Sequence, residues 1–141
     1  MLQLYAERAD IKDGHKVLDL GCGWGSFSLW IARKFPGCLI HSVSNSAPQK
    51  KFIEERAKEF NLTNIKVTTA DVNTFNTAEK FDRIVSIEMF EHMRNYDKLM
   101  TNIAQWLKPD GKLFVHIFCH KSSPYYFETN GDDNWMGKYF F

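Results

Sequence analysis

A doubly wound α/β domain on a mostly parallel sheet of about five strands is the fold this sequence predicts. Three observations predict it. Short apolar runs alternate with helix-period segments along the chain. A glycine-rich turn, Gly21-Cys-Gly-Trp-Gly25, joins the first run to a helix. Acidic, amide and imidazole side chains gather just past the ends of the runs.

Each element follows in order. Residues 3–11 read as a short amphipathic helix, and Lys12-Asp13-Gly14 as a turn. Lys16–Leu20 is a buried strand. Ser26–Lys34, carrying Phe27, Leu29, Trp30 and Ile31, is a mostly buried helix that Pro36-Gly37 stops. Cys38–Val43 is the second strand. Ser44 and Ser46 offer N-caps to a helix reaching about Phe60, with Pro48 tolerated in its first turn. Ala47, Ile53, Ala57 and Phe60 form its inward stripe, and Asn61 its C-terminal stop. Ile65–Ala70 and Phe81–Ile87 are strands three and four. A helix spans roughly Tyr96–Leu107 with Leu99, Met100, Ile103, Trp106 and Leu107 inward. Lys108-Pro-Asp-Gly111 reads as a turn and Lys112–Phe118 as strand five.

The 141 residues suffice for one domain with a real core. With 44% apolar and 25% charged residues the composition is that of a globular chain. A net charge of +1 without a Lys/Arg block argues against a nucleic-acid partner. No apolar run reaches the roughly 20 residues of a membrane span, so stable membrane insertion is not expected. Cys22, Cys38 and Cys119 form no paired motif. They read as free thiols in a reducing compartment, which makes the cytoplasm the default address and leaves no metal site. The last twenty residues hold Tyr125, Tyr126, Phe127, Trp135, Tyr139, Phe140 and Phe141. Such a tail invites self-association, and it raises the expectation that residues 1–141 are one core of a longer natural chain.

In open α/β sheets ligands bind beyond the carboxyl ends of the strands. Gly21 and Gly23 can take positive φ and let a ligand approach the backbone. Two details argue against a dinucleotide. The glycine spacing is GxGxG, and the carboxylate of Asp19 precedes it, which repels a pyrophosphate and welcomes an ammonium. S-adenosyl-L-methionine carries such an ammonium, a sulfonium and no phosphate. The competing reading is a tight turn with no ligand. Strand two ends without the acid a nicotinamide ribose prefers; Ser44 and Gln49 can bond a diol instead, although Ser44 serves equally as a helix cap. Asp71 suits the adenine amino group, with the Val72 backbone N–H beside it, or else ends the strand in a turn.

Taken together, "VLDLGCGWGSFSLWIA", "SVSNSAPQKKFI", "ADVNTF", "VSIEMFEHMRNY" and "LKPDGKLFVHIFCHK" resemble the class I S-adenosylmethionine-dependent methyltransferases. The resemblance is to the group of coclaurine N-methyltransferases and cyclopropane-fatty-acid synthases. "FVHIFCHK" and "DDNWMGKYFF" are more similar to the N-methyltransferase branch. The resemblance implies a Rossmann-like sheet, a truncated core relative to the family, and methyl transfer to the nitrogen of a small-molecule amine. Family proteins add an N-terminal substrate lid and further C-terminal strands, which this stretch lacks.

Methyl transfer moves positive charge from sulfur to the nucleophile. A carboxylate near the nitrogen stabilises the ammonium, and an imidazole can accept its proton near neutral pH. Glu91 is assigned as the ammonium anchor and His92 as the general base, matching the Glu-His pair of the resembling N-methyltransferases. A helix N-terminus is the plain alternative for this pair. Glu88, nearer the strand end, is assigned to holding the cofactor or the loop, with Met89 and Phe90 as apolar walls. His116 is either a satisfied strand histidine or, as in the resembling cyclopropane synthases, a partner of Glu91 around bicarbonate. Two other readings stay open: modification of an unsaturated lipid chain, and a cofactor-binding fragment without catalysis.

Overall fold

Each apolar run becomes a strand of one parallel sheet in the computed structural model, which describes residues 1–122. The strands are β1 Lys16–Leu20, β2 Leu39–Ser44, β3 Ile65–Thr69, β4 Phe81–Ile87 and β5 Leu107–His116. The helices are α1 Leu2–Arg8, α2 Ser26–Lys34, α3 Ala47–Glu59 and α4 Tyr96–Trp106, with a single 3-10 turn at Phe90–His92. The strand order is β3-β2-β1-β4-β5. The chain works outward from β1 to β3, then returns past β1 to lay down β4 and β5. The crossing point lies between β1 and β4, and there the carboxyl ends splay into a crevice.

Alternation along the strands separates two cores. Val17 and Val85 face one, built with Tyr5, Ala6, Phe27 and Ile31 from α1 and α2. Leu18, Leu20 and Ile84 face the other, built with Leu99, Ile103 and Trp106 of α4. Asp19 has the parity of Val17, so it points toward α2.

The structure moves several expected boundaries. Helix α1 stops at Arg8. Buried Arg83 of β4 donates its Nε–H to the carbonyls of Ala9 at 2.9 Å and Asp10 at 3.0 Å, and pairs with the Asp10 carboxylate at 2.8 Å. Asp10 takes φ +51° there. Strand β5 begins at Leu107, because Leu107 already pairs with Phe81 before the register shifts between Phe81 and Arg83. The Lys108–Gly111 turn is therefore absorbed into the ladder as an irregularity. On α3, Ile53 and Ala57 are buried as expected, but Ala47 is exposed. Phe60 is also exposed, with the Arg33 guanidinium 4.7 Å over its ring. Met100 of α4 faces solvent.

Asn61 ends α3 in the left-handed region at φ +54°. Among the described residues no helix is long and apolar enough to cross a membrane. The aromatic tail from Tyr125 onward, and the self-association expected of it, lies outside the described residues.

Candidate functional site

The glycine turn is stitched to the neighbouring strand. The N–H groups of Gly21 and Cys22 both donate to the Val43 carbonyl, at 3.0 and 2.9 Å. This pins the turn over the ends of β1 and β2. Gly21 has φ +83°, and a Cβ there would sit 2.5 Å from the Met89 Cγ, so no side chain fits. Gly23 has φ +53°, and a Cβ would meet nothing within 4 Å. The backbone at Gly23 is bare and open to a ligand.

A cleft of about 560 Å³ opens over this turn, within the range of small-molecule sites. Its walls come from four strand ends: Gly21 and Gly23, then Ser44 and Gln49, then Asp71 and Val72, then Glu88, Met89 and His92. Nine of the residues predicted from sequence thus meet in one place: Gly21, Gly23, Ser44, Gln49, Asp71, Val72, Glu88, Met89 and His92. Asn45, Asn73 and Met93 line it too and were missed. Asn45 and Asn73 each follow a flagged residue directly, which is the signal that could have found them.

The polar groups are already ordered by the chain. Ser44 Oγ donates to Gln49 Oε1 at 2.5 Å and accepts the Ser46 N–H at 3.1 Å. Ser46, rather than Ser44, caps α3. Asp71 Oδ1 accepts the Asn73 N–H at 2.8 Å and its Nδ2–H at 2.9 Å. Asp71 therefore closes a turn while lining the cleft. Among the described residues two carboxylates, Asp71 and Glu88, belong to the lining and no lysine or arginine does. Such walls repel phosphate and tolerate a cation.

A second cavity of about 300 Å³ shares Gly21, Gly23 and Glu88 with the first. Asp19 is one of its walls, with Leu2 and Tyr5 of α1 opposite. Asp19 is 2% exposed and accepts the Ser28 hydroxyl at 2.5 Å. Burial pushes its carboxyl up to about 6, against the pull of that hydrogen bond. The neighbouring Cys22 thiol is held far above its usual range, by burial first and by Asp19 second.

Past β4 the residues part company. Glu88 takes φ +53° and borders both cavities. The 3-10 turn then rotates successive side chains by a third of a circle. His92 stays on the cleft, while Glu91 does not line it. Glu91 Oε1 accepts the Phe118 N–H at 3.2 Å, and Oε2 is buried without a hydrogen-bond partner among the described residues. Met89 forms an apolar wall as expected. Phe90 does not: it is buried in the α4 core, its carbonyl accepting the Tyr96 hydroxyl at 2.7 Å. His116 lines neither cavity; its ring lies 5.1 Å from that of Tyr5, and its Nε2 is 3.6 Å from Glu88 Oε1. Among the described residues no His/Cys/Asp/Glu group could hold a metal ion.

Comparison with known proteins bears on this arrangement. Residues 1–141 match the family model described as mycolic acid cyclopropane synthetase. The (S)-coclaurine N-methyltransferase of Papaver somniferum is 49% identical over 141 residues, all of this chain and 40% of that protein. That of Thalictrum flavum subsp. glaucum is 47% identical over 141 residues, 39% of its length. The crystal structure of coclaurine N-methyltransferase bound to N-methylheliamine and SAH superposes with a TM-score of 0.89 at 47% identity, covering 99% of this chain and 40% of that one. The chain thus spans about two fifths of the length of these relatives.

Proposed function

The chain belongs to the mycolic acid cyclopropane synthetase family, among class I S-adenosylmethionine-dependent methyltransferases, and on that premise we propose that it forms the cofactor-binding core of an enzyme that methylates the nitrogen of a small alkaloid-type amine. One observation carries the reading: a glycine turn with bare backbone at Gly23 opens on a cleft walled by carboxylates, with no cationic side chain among the described residues to meet a phosphate. The cofactor supplies the methyl group on a positively charged sulfur.

The chain's own residues do the rest. Ser44 and Gln49 face the ribose, and Asp71 with the Val72 N–H faces the base. Asp19 meets the ammonium at the far side of the turn. His92, on the cleft wall, accepts a proton from the amine, which must attack as the free base. The geometry favours Glu88 over Glu91 as the charge beside the substrate nitrogen, because Glu88 borders both cavities whereas Glu91 is engaged with the Phe118 backbone. Glu91 then braces the end of β5.

A lipid-modifying reading wants Glu91 and His116 around one anion; His116 instead meets Glu88 across 3.6 Å, which weighs against it. The proposal carries a cytoplasmic address, which the free thiols of Cys22, Cys38 and Cys119 suit.

The test is methyl transfer by the full-length enzyme to a panel of primary, secondary and tertiary amines, with His92→Ala beside the wild type. Amine product from the wild type, cut about 100-fold or more in His92→Ala with cofactor affinity unchanged, supports the reading. Product from unsaturated phospholipid and none from any amine contradicts it.

A further inference from the structure

Two serines that the cofactor reading does not otherwise use lie behind Asp19. Ser42 of β2 and Ser28 of α2 are fully buried. Ser42 sits opposite Asp19 in the parallel register of β1 and β2. Its hydroxyl donates to Ser28 Oγ at 2.7 Å, and the Ser28 hydroxyl donates in turn to Asp19 Oδ2 at 2.5 Å. The three side chains therefore form a directed series: two donors in line, ending on one carboxylate oxygen.

A serine hydroxyl has one proton to give. Ser42 donating to Ser28 leaves the Ser28 proton for Asp19, and donors in series polarise one another. We propose that Ser28 and Ser42 are positioning residues for cofactor binding: their hydroxyls, in series, hold Asp19 as an oriented carboxylate for the ammonium of the ligand's amino-acid end. The proposal rests on the cofactor reading above and adds which residues tune it.

The surroundings make such support necessary. Asp19 is desolvated, and among the described residues no cationic side chain borders the second cavity. The titratable groups that face it from the packed elements are Tyr5 of α1, Cys22 of the turn and Glu88 after β4. Cys22 has its thiol held protonated by burial and by Asp19, so it contributes no charge near neutral pH. Glu88 disfavours a second negative charge nearby. The Ser28 hydrogen bond opposes desolvation.

Calorimetric titration of the 141-residue chain tests this with two ligands. S-adenosylhomocysteine has the amino-acid end; 5′-methylthioadenosine lacks it. Ser28→Ala is expected to weaken S-adenosylhomocysteine about tenfold at pH 7, the worth of a hydrogen bond to a charged group, and to leave 5′-methylthioadenosine unchanged. Ser42→Ala, one hydroxyl further out, is expected to weaken it about two- to threefold with the same selectivity. In the wild type, affinity for S-adenosylhomocysteine falls as the pH drops through about 6, and Ser28→Ala moves that midpoint upward. If Ser28→Ala does not fold by circular dichroism, Ser42→Ala and the wild-type profile carry the test. Equal loss of both ligands, or no loss of either, overturns the relay while leaving the cofactor reading standing. A wild-type chain that binds neither ligand overturns both.

Discussion

Glu88 and His116 are joined twice, through the Glu88 N–H to the His116 carbonyl at 2.8 Å and through Oε1 and Nε2 at 3.6 Å. The first contact extends the β4–β5 ladder by one residue. It does so while Glu88 holds φ +53°, a region a side chain of this kind rarely adopts. Strain of about 1–3 kcal/mol is typical of such positions and collects at functional sites.

Glu88→Asn separates the strain from the charge. Asparagine tolerates the left-handed region better than glutamate. The variant is expected to melt at the wild-type temperature or higher. In the full-length enzyme, methyl transfer is expected to fall about 100-fold or more. A variant that melts lower and transfers normally would mean that Glu88 is structural.

Gly21→Ala adds a methyl group where Met89 already stands, at φ +83°. Both the clash and the dihedral oppose it, and a loss of about 2–4 kcal/mol in unfolding free energy is expected. Pairing it with Met89→Ala removes the 2.5 Å contact with the Met89 Cγ but leaves the 2.8 Å approach to Cβ and the dihedral, so the double variant is expected to lose less than the sum of the two single losses while staying below Met89→Ala alone. Urea unfolding of the three variants checks this; an additive double variant would refute the contact.

Much of this fold was legible because burial on both faces leaves continuous apolar runs, and β1 and β4 fell where those runs end. What escaped depended on partners distant in sequence. The end of α1 is set by Arg83, some seventy residues away. The start of β5 is set by the pairing of Leu107 with Phe81, although Pro109 and Gly111 look locally like a plain turn. The cleft itself was legible from strand ends alone. The placement of Glu91 was not, because one 3-10 turn decides which of two adjacent side chains reaches the cleft. The serines behind Asp19 carry no motif, and only the register of β1 with β2 brings Ser42 there.

Asp19→Asn is expected to stabilise the unliganded chain at pH 7.5. The folded carboxyl titrates at about 6 against 3.8 for its ordinary value, so the folded state holds this proton more tightly than the unfolded one. Ionisation above about pH 6 therefore costs stability, up to about 3 kcal/mol at roughly 1.4 kcal/mol per pH unit. The cost shrinks as the pH falls from 6 toward 4, and the advantage of the asparagine shrinks with it. Denaturant unfolding at pH 7.5 and pH 5 reads the difference. An asparagine variant less stable than the wild type at pH 7.5 would contradict the buried-charge account.

The central claim is that a phosphate-free nucleoside bearing an ammonium fits the cleft. Titrating the 141-residue chain with S-adenosylhomocysteine and, separately, with NADH tests it most directly. Saturable binding of S-adenosylhomocysteine with no heat from NADH is the predicted result. Silence from S-adenosylhomocysteine at millimolar concentration, or tighter binding of NADH, would contradict it.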